Sequence, residues 1–318
     1  MIQLLNKTIK RAVCFLFAAI MVVSTACMFG SCTSANPKVT LTVSFNSKTY
    51  KIEYKLYRKF FPQTVQHFIE LAESGYYDGL CFHDYQDSVG MFTGGYEYDA
   101  AQAGDPETRG LVEREYFSYL EEHNVELTQT VYKPVAAGKV PTEGTNTVVG
   151  EFKSNHYEIE NNDKKYGSLK DGALVMYYTD KSEADSTQVT VKRNSKTAQV
   201  GDDWEKDAEW YSTKGYAKNS ATSLFYISSV TENAVNQDYC VFGEPYNEAA
   251  QEKYEELMTA ITKYIKDVEA NGENSFVQET EPMLVDTEDW FYRSYKLEAT
   301  YKVPMAPIIL TSVKVNNK

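Results

Sequence analysis

The sequence predicts a mainly β protein, a barrel or a sandwich with capping helices. Three observations support this fold class: short strand-like runs recur along the chain, two segments have the apolar spacing of amphipathic helices, and strands and helices do not alternate regularly. The chain has 318 residues, 42% of them hydrophobic, which is enough for one large domain or two small ones. We find no internal repeat.

The first predicted elements are a hairpin and a helix. Residues 39–57 alternate apolar and polar side chains around Asn46-Ser47, which predicts two antiparallel strands. Pro62 then begins a helix that ends near Gly75, a residue typical of helix C-termini. The apolar residues of this helix share one face: Val65, Phe68, Ile69 and Ala72.

The rest of the chain predicts further strands, a long helix and polar loops. Glu248–Glu269 has a continuous apolar face and predicts the longest helix. Residues 106–124 predict an acidic, solvent-exposed helix. Long polar stretches follow it, up to residue 148 and again over 179–218. Strands are predicted over Gly172–Tyr178, Ser223–Val230, Tyr239–Gly243 and 307–315.

Composition excludes some classes of function. The chain carries 32 Lys+Arg and 45 Asp+Glu, a net charge of −13, whereas a nucleic-acid partner requires clustered cations. The four histidines lack metal-binding spacing, so we expect no metal site. Ser223 lacks the sequence context of a hydrolase nucleophile. The 25 tyrosines instead favour a binding surface.

The N-terminus predicts a bacterial lipoprotein signal. Basic residues precede an apolar run from Ala12 to Val23, which is short for a membrane span. Cys32 follows small residues and precedes a polar tether, and it is the preferred lipidation site over Cys27. The alternatives are an uncleaved helical anchor and an ordinary signal peptide. Removal of residues 1–31 takes away three positive charges, so the mature chain carries about −16 and is expected to stand off an anionic membrane, held by its lipid.

Six blocks of sequence, in order, resemble the cyclophilin family of peptidyl-prolyl isomerases. The longest is FPQTVQHFIELAESGYYDGLCFH at 61–83, which is similar to the family's signature from a Pro-Thr-Val helix to Phe-His-Arg. The others are Gly94-Gly95, GEFKSN at 150–155, GALVM at 172–176, SLFYI at 223–227 and VNQDYCVFG at 235–243.

The resemblance implies a closed eight-stranded antiparallel barrel capped by two helices, here Pro62–Ser74 and Glu248–Glu269. The implied domains are a signal peptide (1–31), a tether (32–38) and a cyclophilin-like domain (39–318) with insertions at about 100–148, 179–218 and 271–303. The implied reaction is cis–trans isomerisation of X-Pro bonds without a cofactor. The implied partners are Pro-containing segments of secreted or surface proteins.

The resemblance also implies that the catalytic machinery is substituted. The family's catalytic Arg corresponds to Asp84, and an ionised carboxylate only accepts hydrogen bonds. The family's two Gln positions correspond to Thr93 and Leu224. The implied substrate groove is lined by Phe82, Met91, Tyr226, Ala234 and Tyr239.

Three hypotheses follow from these substitutions. The first is an envelope isomerase of weak activity, in which a cation from an insertion refills the site; the second is a non-catalytic module or holdase that binds Pro-containing segments. The third is a surface lipoprotein whose insertions bind another partner. Trp204 and Trp210 either recognise a ligand or fix their loop to the body, and Cys81 and Cys240 either pair or remain free thiols. The candidate cations are Arg109, Arg114, Lys192 and Arg193.

Overall fold

The structure is a computed structural model, and it describes the greater part of the chain after the first 35 residues. All described residues belong to one compact unit, Ala35–Asn317. Cys27, Cys32, Arg193, Trp204 and Trp210 lie outside the described residues. The described ranges are 36–152, 155, 168–177, 179–180, 187–192, 211–216, 218–219, 223–230, 234–235, 239–272, 275–288 and 294–317.

The α-helices among these residues are α1 (Pro62–Glu73), α2 (Tyr116–Glu122) and α3 (Glu248–Ala270). The positions predicted for α1 and α3 are confirmed. The helix predicted over 106–124 is much shorter than expected, because residues 111–113 form a strand instead. No helix in the described part of the chain combines the length and apolar character that a membrane span requires.

The strands are short apart from the first two and the last. They are β1 (Lys38–Phe45), β2 (Lys48–Leu56), β3 (Leu80–Cys81), β4 (Asp84–Gln86), β5 (Gly90–Thr93), β6 (Tyr96–Tyr98), β7 (Leu111–Glu113), β8 (Val131–Tyr132), β9 (Gly144–Thr145), β10 (Ser168–Leu169), β11 (Leu174–Met176), β12 (Thr179–Asp180), β13 (Thr187–Lys192), β14 (Tyr211–Tyr216), β15 (Lys218–Asn219), β16 (Phe225–Ser228), β17 (Ala234–Val235), β18 (Cys240–Pro245), β19 (Val277–Glu279), β20 (Met283–Glu288), β21 (Ser294–Ala299), β22 (Lys302–Pro304) and β23 (Ile309–Asn317).

The predicted N-terminal hairpin is confirmed. Strands β1 and β2 pair in antiparallel register from Lys38–Lys55 to Phe45–Lys48. Asn46 and Ser47 both have positive φ, at 47° and 62°, as a two-residue hairpin turn requires.

The main sheet is a curled antiparallel half-barrel in the order β3-β23-β1-β2-β18-β11-β16-β5-β4. The expectation of a closed eight-stranded barrel is therefore wrong: the sheet has nine strands and two edges, β3 and β4. Both edges belong to one short segment, in which Phe82 N donates to Ile308 O and His83 N donates to Phe92 O. The segment changes its pairing partner between these residues, so it does not form one continuous closing strand.

The core lies inside the curl, beneath α1 and α3. Phe68 of α1 packs edge-on against Phe225 at 5.3 Å and lies 5.0 Å from Phe242, which joins the helix to two central strands. Tyr254, Leu257 and Ile261 form the buried face of α3. This packing is what the apolar spacing of both helices predicted.

The insertions form smaller sheets of their own. Strands β13 and β14 pair and extend the pair β8-β9 into a four-stranded sheet. Residues 275–304 contain two pairs of strands, β19 with β22 and β20 with β21.

Candidate functional site

Strands β4, β5 and β16 bring two of the implied positions, Asp84 and Tyr226, to one face of the main sheet, which we call its outer face. Asp84 pairs with Phe92, and Phe92 pairs with Tyr226. Residues directly opposite each other in antiparallel strands point to the same face. We call these three residues the outer row.

The neighbouring residues of the same strands point inward. Tyr85, Met91 and Ile227 belong to the main hydrophobic core, whereas Phe92 and Tyr226 pack in a separate cluster above Val175 and Val241. The two clusters therefore lie on opposite faces of the sheet.

Two aromatic rings of this outer cluster form a patch with a third ring, that of Tyr177. Phe92 stacks on Tyr226 with ring centroids 4.7 Å apart and planes 28° apart. Tyr177 meets Phe92 edge-on at 5.8 Å, and its backbone N–H donates to Leu224 O. Tyr226 is buried, whereas Tyr177 is 42% exposed. We call Phe92, Tyr177 and Tyr226 the outer aromatic patch.

Asp84 lies beside this patch and is buried, with 6% of its surface exposed. Its Oδ1 accepts a hydrogen bond of 2.9 Å from the backbone N–H of Lys302, and its Oδ2 accepts one of 2.6 Å from Gln86 Nε2. Burial raises the pKa of Asp84, and both hydrogen bonds counteract part of that rise. Both carboxylate oxygens are therefore engaged within the protein.

His83, next to Asp84, is a buried structural residue. Its ring packs 4.9 Å from Tyr96 and 5.0 Å from Tyr301. Burial lowers the pKa of His83 to about 3, so the imidazole is neutral at physiological pH. We assign it no role in proton transfer.

Comparison with known families gives one match, to the model described as cyclophilin type peptidyl-prolyl cis-trans isomerase/CLD. It covers residues 40–199, half of the chain. This chain belongs to the cyclophilin family. No curated protein shows a significant sequence match.

Solved structures give more distant likenesses. A cyclophilin-type isomerase from Cryptosporidium parvum is 12% identical, with a TM-score of 0.35, and the match covers 89% of this chain and 99% of that one. The structure of the same protein solved in the presence of the dipeptide Ala-Pro gives the same identity and TM-score over 88% and 99%. Neither likeness bears on the chemistry of this chain.

The cyclophilin positions predicted from the sequence fall into two groups. Tyr226 and Tyr239 pack in the outer cluster together. Phe82 and Met91 lie in the main core, so the structure does not bring them together with Tyr226. Of Ala234 the structure describes only the backbone, which pairs with Leu169.

Phe92 contacts Tyr226, and Tyr177 contacts Phe92, but neither Phe92 nor Tyr177 was among the positions predicted from the sequence. The resemblance implies that Met91 lines the groove. A shift of one residue moves a side chain to the other face of a strand, and the pairing with β16 places Phe92 outside instead. The sequence does not show that Phe92 pairs with Tyr226, and this pairing determines the face on which Phe92 lies.

Neither of the residues predicted at the family's Gln positions, Thr93 and Leu224, offers a side-chain amide. Thr93 is fully buried, and its hydroxyl donates to Cys81 O at 2.8 Å. Leu224 packs over Gly95, where an added Cβ would come within 2.9 Å of Leu224 Cδ2. These residues therefore serve packing rather than substrate orientation.

Of the candidate replacement cations that the structure describes, Arg109 and Arg114 are hydrogen-bonded to other groups. Arg109 Nε donates to Glu279 O at 3.1 Å. Arg114 Nε donates to Glu97 Oε1 at 2.9 Å, and its Nη1 donates to Asp78 O at 3.1 Å. Lys192 is exposed on β13, paired with Tyr211.

Cys81 and Cys240 are free buried thiols, which decides between the two alternatives. Cys81 packs in a cluster with Tyr96 and Val303, whereas Cys240 belongs to the main core. Burial raises the pKa of Cys81 to about 12, and it also raises the pKa of Cys240. Both thiols are therefore protonated and poorly reactive.

Glu151, from the Gly-Glu-Phe block, has a structural role that the sequence did not reveal. It is 2% exposed and accepts hydrogen bonds from Gln63 N at 3.2 Å and Thr64 N at 3.0 Å. Phe61 provides no side-chain cap to α1, so Glu151 caps this helix from a distant part of the chain. Burial raises the pKa of Glu151 to about 7, against the effect of these hydrogen bonds.

Proposed function

We propose that this cyclophilin binds Pro-containing segments at the outer row and isomerises their X-Pro bonds only weakly. The arrangement of the outer row carries this proposal: a stacked aromatic pair lies next to a buried carboxylate, at the place where the family resemblance puts a guanidinium. Aromatic surfaces suit proline rings, which dock between aromatic side chains in other recognition modules. The binding element is therefore present while the catalytic donor is replaced.

The expected weakness follows from the chemistry of the reaction. An amide resists rotation by about 18–20 kcal/mol, and a prolyl isomerase acts by stabilising the twisted state more than the planar one. In the family, a donated hydrogen bond from Arg assists this step. Loss of one preorganised donor typically costs about 10²–10³ in rate, and Asp84 offers only acceptors when ionised.

A non-catalytic binding module is the second candidate. The observation that favours it is the engagement of both Asp84 oxygens, by Lys302 N and by Gln86. A carboxylate held in this way does not contact a substrate. Holdase function would then depend on the outer aromatic patch alone.

One NMR experiment distinguishes these candidates. The protein is titrated into an Ala-Pro peptide, and cis–trans exchange and line broadening are measured on the same samples. We expect saturable broadening with an exchange rate at least about 100-fold below that of a guanidinium-bearing cyclophilin at equal concentration. Binding without any acceleration supports the holdase. Absence of binding would refute both candidates, and acceleration at the level of the guanidinium-bearing enzyme would refute the weak activity.

We also propose that the protein is lipid-anchored at the outer face of a bacterial cell membrane. The support is the sequence of residues 1–38, with Cys32 before a polar tether, and the mature charge of about −16, which disfavours direct contact with anionic lipid. Its clients would be secreted or surface proteins.

Membrane fractionation of two matched variants tests the anchor. Cys32→Ala is expected to release the protein from the membrane fraction, and Cys27→Ala to leave it there. The opposite pattern would move the lipid to Cys27, and retention of both variants would refute a lipid anchor at either cysteine.

A further inference from the structure

We infer that Asp84 is a latch: it docks β22 against β4 and thereby closes one end of the outer row. This inference rests on the proposed function, because it concerns access to the same face. The strand that lies beside Asp84 is β22, which is part of this same chain.

Strand β22 is held in place from two sides. On the side away from the row it pairs with β19 from Val277–Pro304 to Glu279–Lys302. Thr280 N donates to Tyr301 O, and Thr280 Oγ1 accepts from Tyr301 N at 3.1 Å. On the other side, the backbone N–H of Lys302 donates to Asp84.

Side chains next to Lys302 complete the contact. Val303 is 3% exposed and packs with Cys81, Tyr96 and Leu111. The ring of Tyr301 lies edge-on to His83. Strand β22 therefore covers the β4 edge of the main sheet at Asp84, the first residue of the outer row.

The direction of the hydrogen bond explains why a carboxylate suits position 84. A backbone N–H requires an acceptor, and a guanidinium offers only donors. Arg at this position would set donor against donor at Lys302 N and would leave that N–H unpaired, which is unfavourable in a partly buried contact. The exchange of Arg for Asp therefore converts a position that holds substrate in the family into one that holds β22.

Release of β22 is expected to open the outer row to longer peptides. Three substitutions test this in the full chain. Asp84→Ala removes the acceptor, Asp84→Asn keeps an oxygen for Lys302 N and serves as the matched control, and Thr280→Val removes the hydroxyl that accepts from Tyr301 without altering the row.

Hydrogen exchange followed by mass spectrometry reports the latch without any ligand. For a fragment covering residues 298–306, we expect exchange at least about tenfold faster in Asp84→Ala than in the parent, faster exchange in Thr280→Val, and near-parent exchange in Asp84→Asn. Unchanged exchange in Asp84→Ala would overturn the latch, whatever the peptide data show.

Peptide binding reports whether the latch controls access. Titration with a peptide that extends several residues on both sides of Ala-Pro is expected to give about fivefold tighter binding to Asp84→Ala and Thr280→Val than to the parent and to Asp84→Asn. Faster hydrogen exchange in residues 298–306 without a change in peptide affinity would show that β22 does not control access to the outer row. Failure of every variant to bind, despite faster exchange, would refute the proposed function while the docking contact stands.

Discussion

Two buried carboxylates, Glu151 and Asp84, hold different parts of this protein: Glu151 a core helix, and Asp84 an insertion strand. Each is less than 7% exposed, and each accepts a backbone hydrogen bond from a distant segment. Glu151 caps the helix α1. Asp84 holds an insertion strand at the sheet edge.

The difference between them lies in what each contact serves. Glu151 satisfies two N–H groups of the core helix, so the fold depends on it. Asp84 satisfies one N–H of an insertion and is also bonded to the side chain of Gln86. Loss of Asp84 should therefore alter the face of the sheet more than the fold.

The largest expected effect concerns stability. Glu151→Ala leaves two buried N–H groups without an acceptor and should lower the free energy of unfolding by about 4 kcal/mol at pH 7, because each such group costs about 1–3 kcal/mol. Asp84→Ala should lower it by only about 1–2 kcal/mol. Urea denaturation of both variants measures the contrast. Equal losses would show that the two carboxylates do not differ in this way.

The second effect is a pH dependence of stability that Glu151 should cause. Folding raises the pKa of Glu151 from 4.5 to about 7, so the folded state holds this proton more tightly than the unfolded state. The stability of the parent relative to Glu151→Gln should therefore be highest below pH 4.5 and should fall by about 3 kcal/mol as the pH rises through 7.

Denaturation of the parent and Glu151→Gln at several pH values measures this difference. Glutamine keeps one oxygen acceptor for the α1 N–H groups and does not titrate, so it is the appropriate reference. A difference between the two proteins that is constant from pH 4.5 to 8, or that grows with pH, contradicts the assignment.

The smallest effect concerns the outer aromatic patch. Tyr177→Ala should weaken binding of an Ala-Pro peptide about fivefold, since an aromatic contact contributes roughly 1 kcal/mol. Tyr246→Ala is the matched control, because Tyr246 is 36% exposed and lies on Lys38, away from the patch. Equal weakening by both substitutions would remove Tyr177 from the binding face.

The two long helices and the N-terminal hairpin were predictable from the sequence, because they depend on local patterns of residues. The spacing of apolar residues located α1 and α3, and Asn46-Ser47 located the first turn. The assignment of Asp84 to the family's Arg position stays a prediction.

The outer face was not predictable, because it depends on register and on long-range contacts. Phe92, which pairs with Tyr226, lies on the outer face, whereas Met91 lies in the main core. Tyr177 had no motif to mark it, and Lys302, which binds Asp84, lies 218 residues further along the chain. A closed barrel was predicted, but the main sheet is open between β3 and β4. The backbone there changes its hydrogen-bond partner from Ile308 at Phe82 to Phe92 at His83, and the sequence carries no signal for this change.

The most direct test of the account is where a proline ring contacts this protein. Nuclear Overhauser effects between an Ala-Pro peptide and the protein report which side chains lie within about 5 Å of the ring. We predict contacts from the proline ring protons to the aromatic protons of Phe92 and Tyr177. Contacts only to residues outside the outer cluster, with none to these two rings, would contradict it.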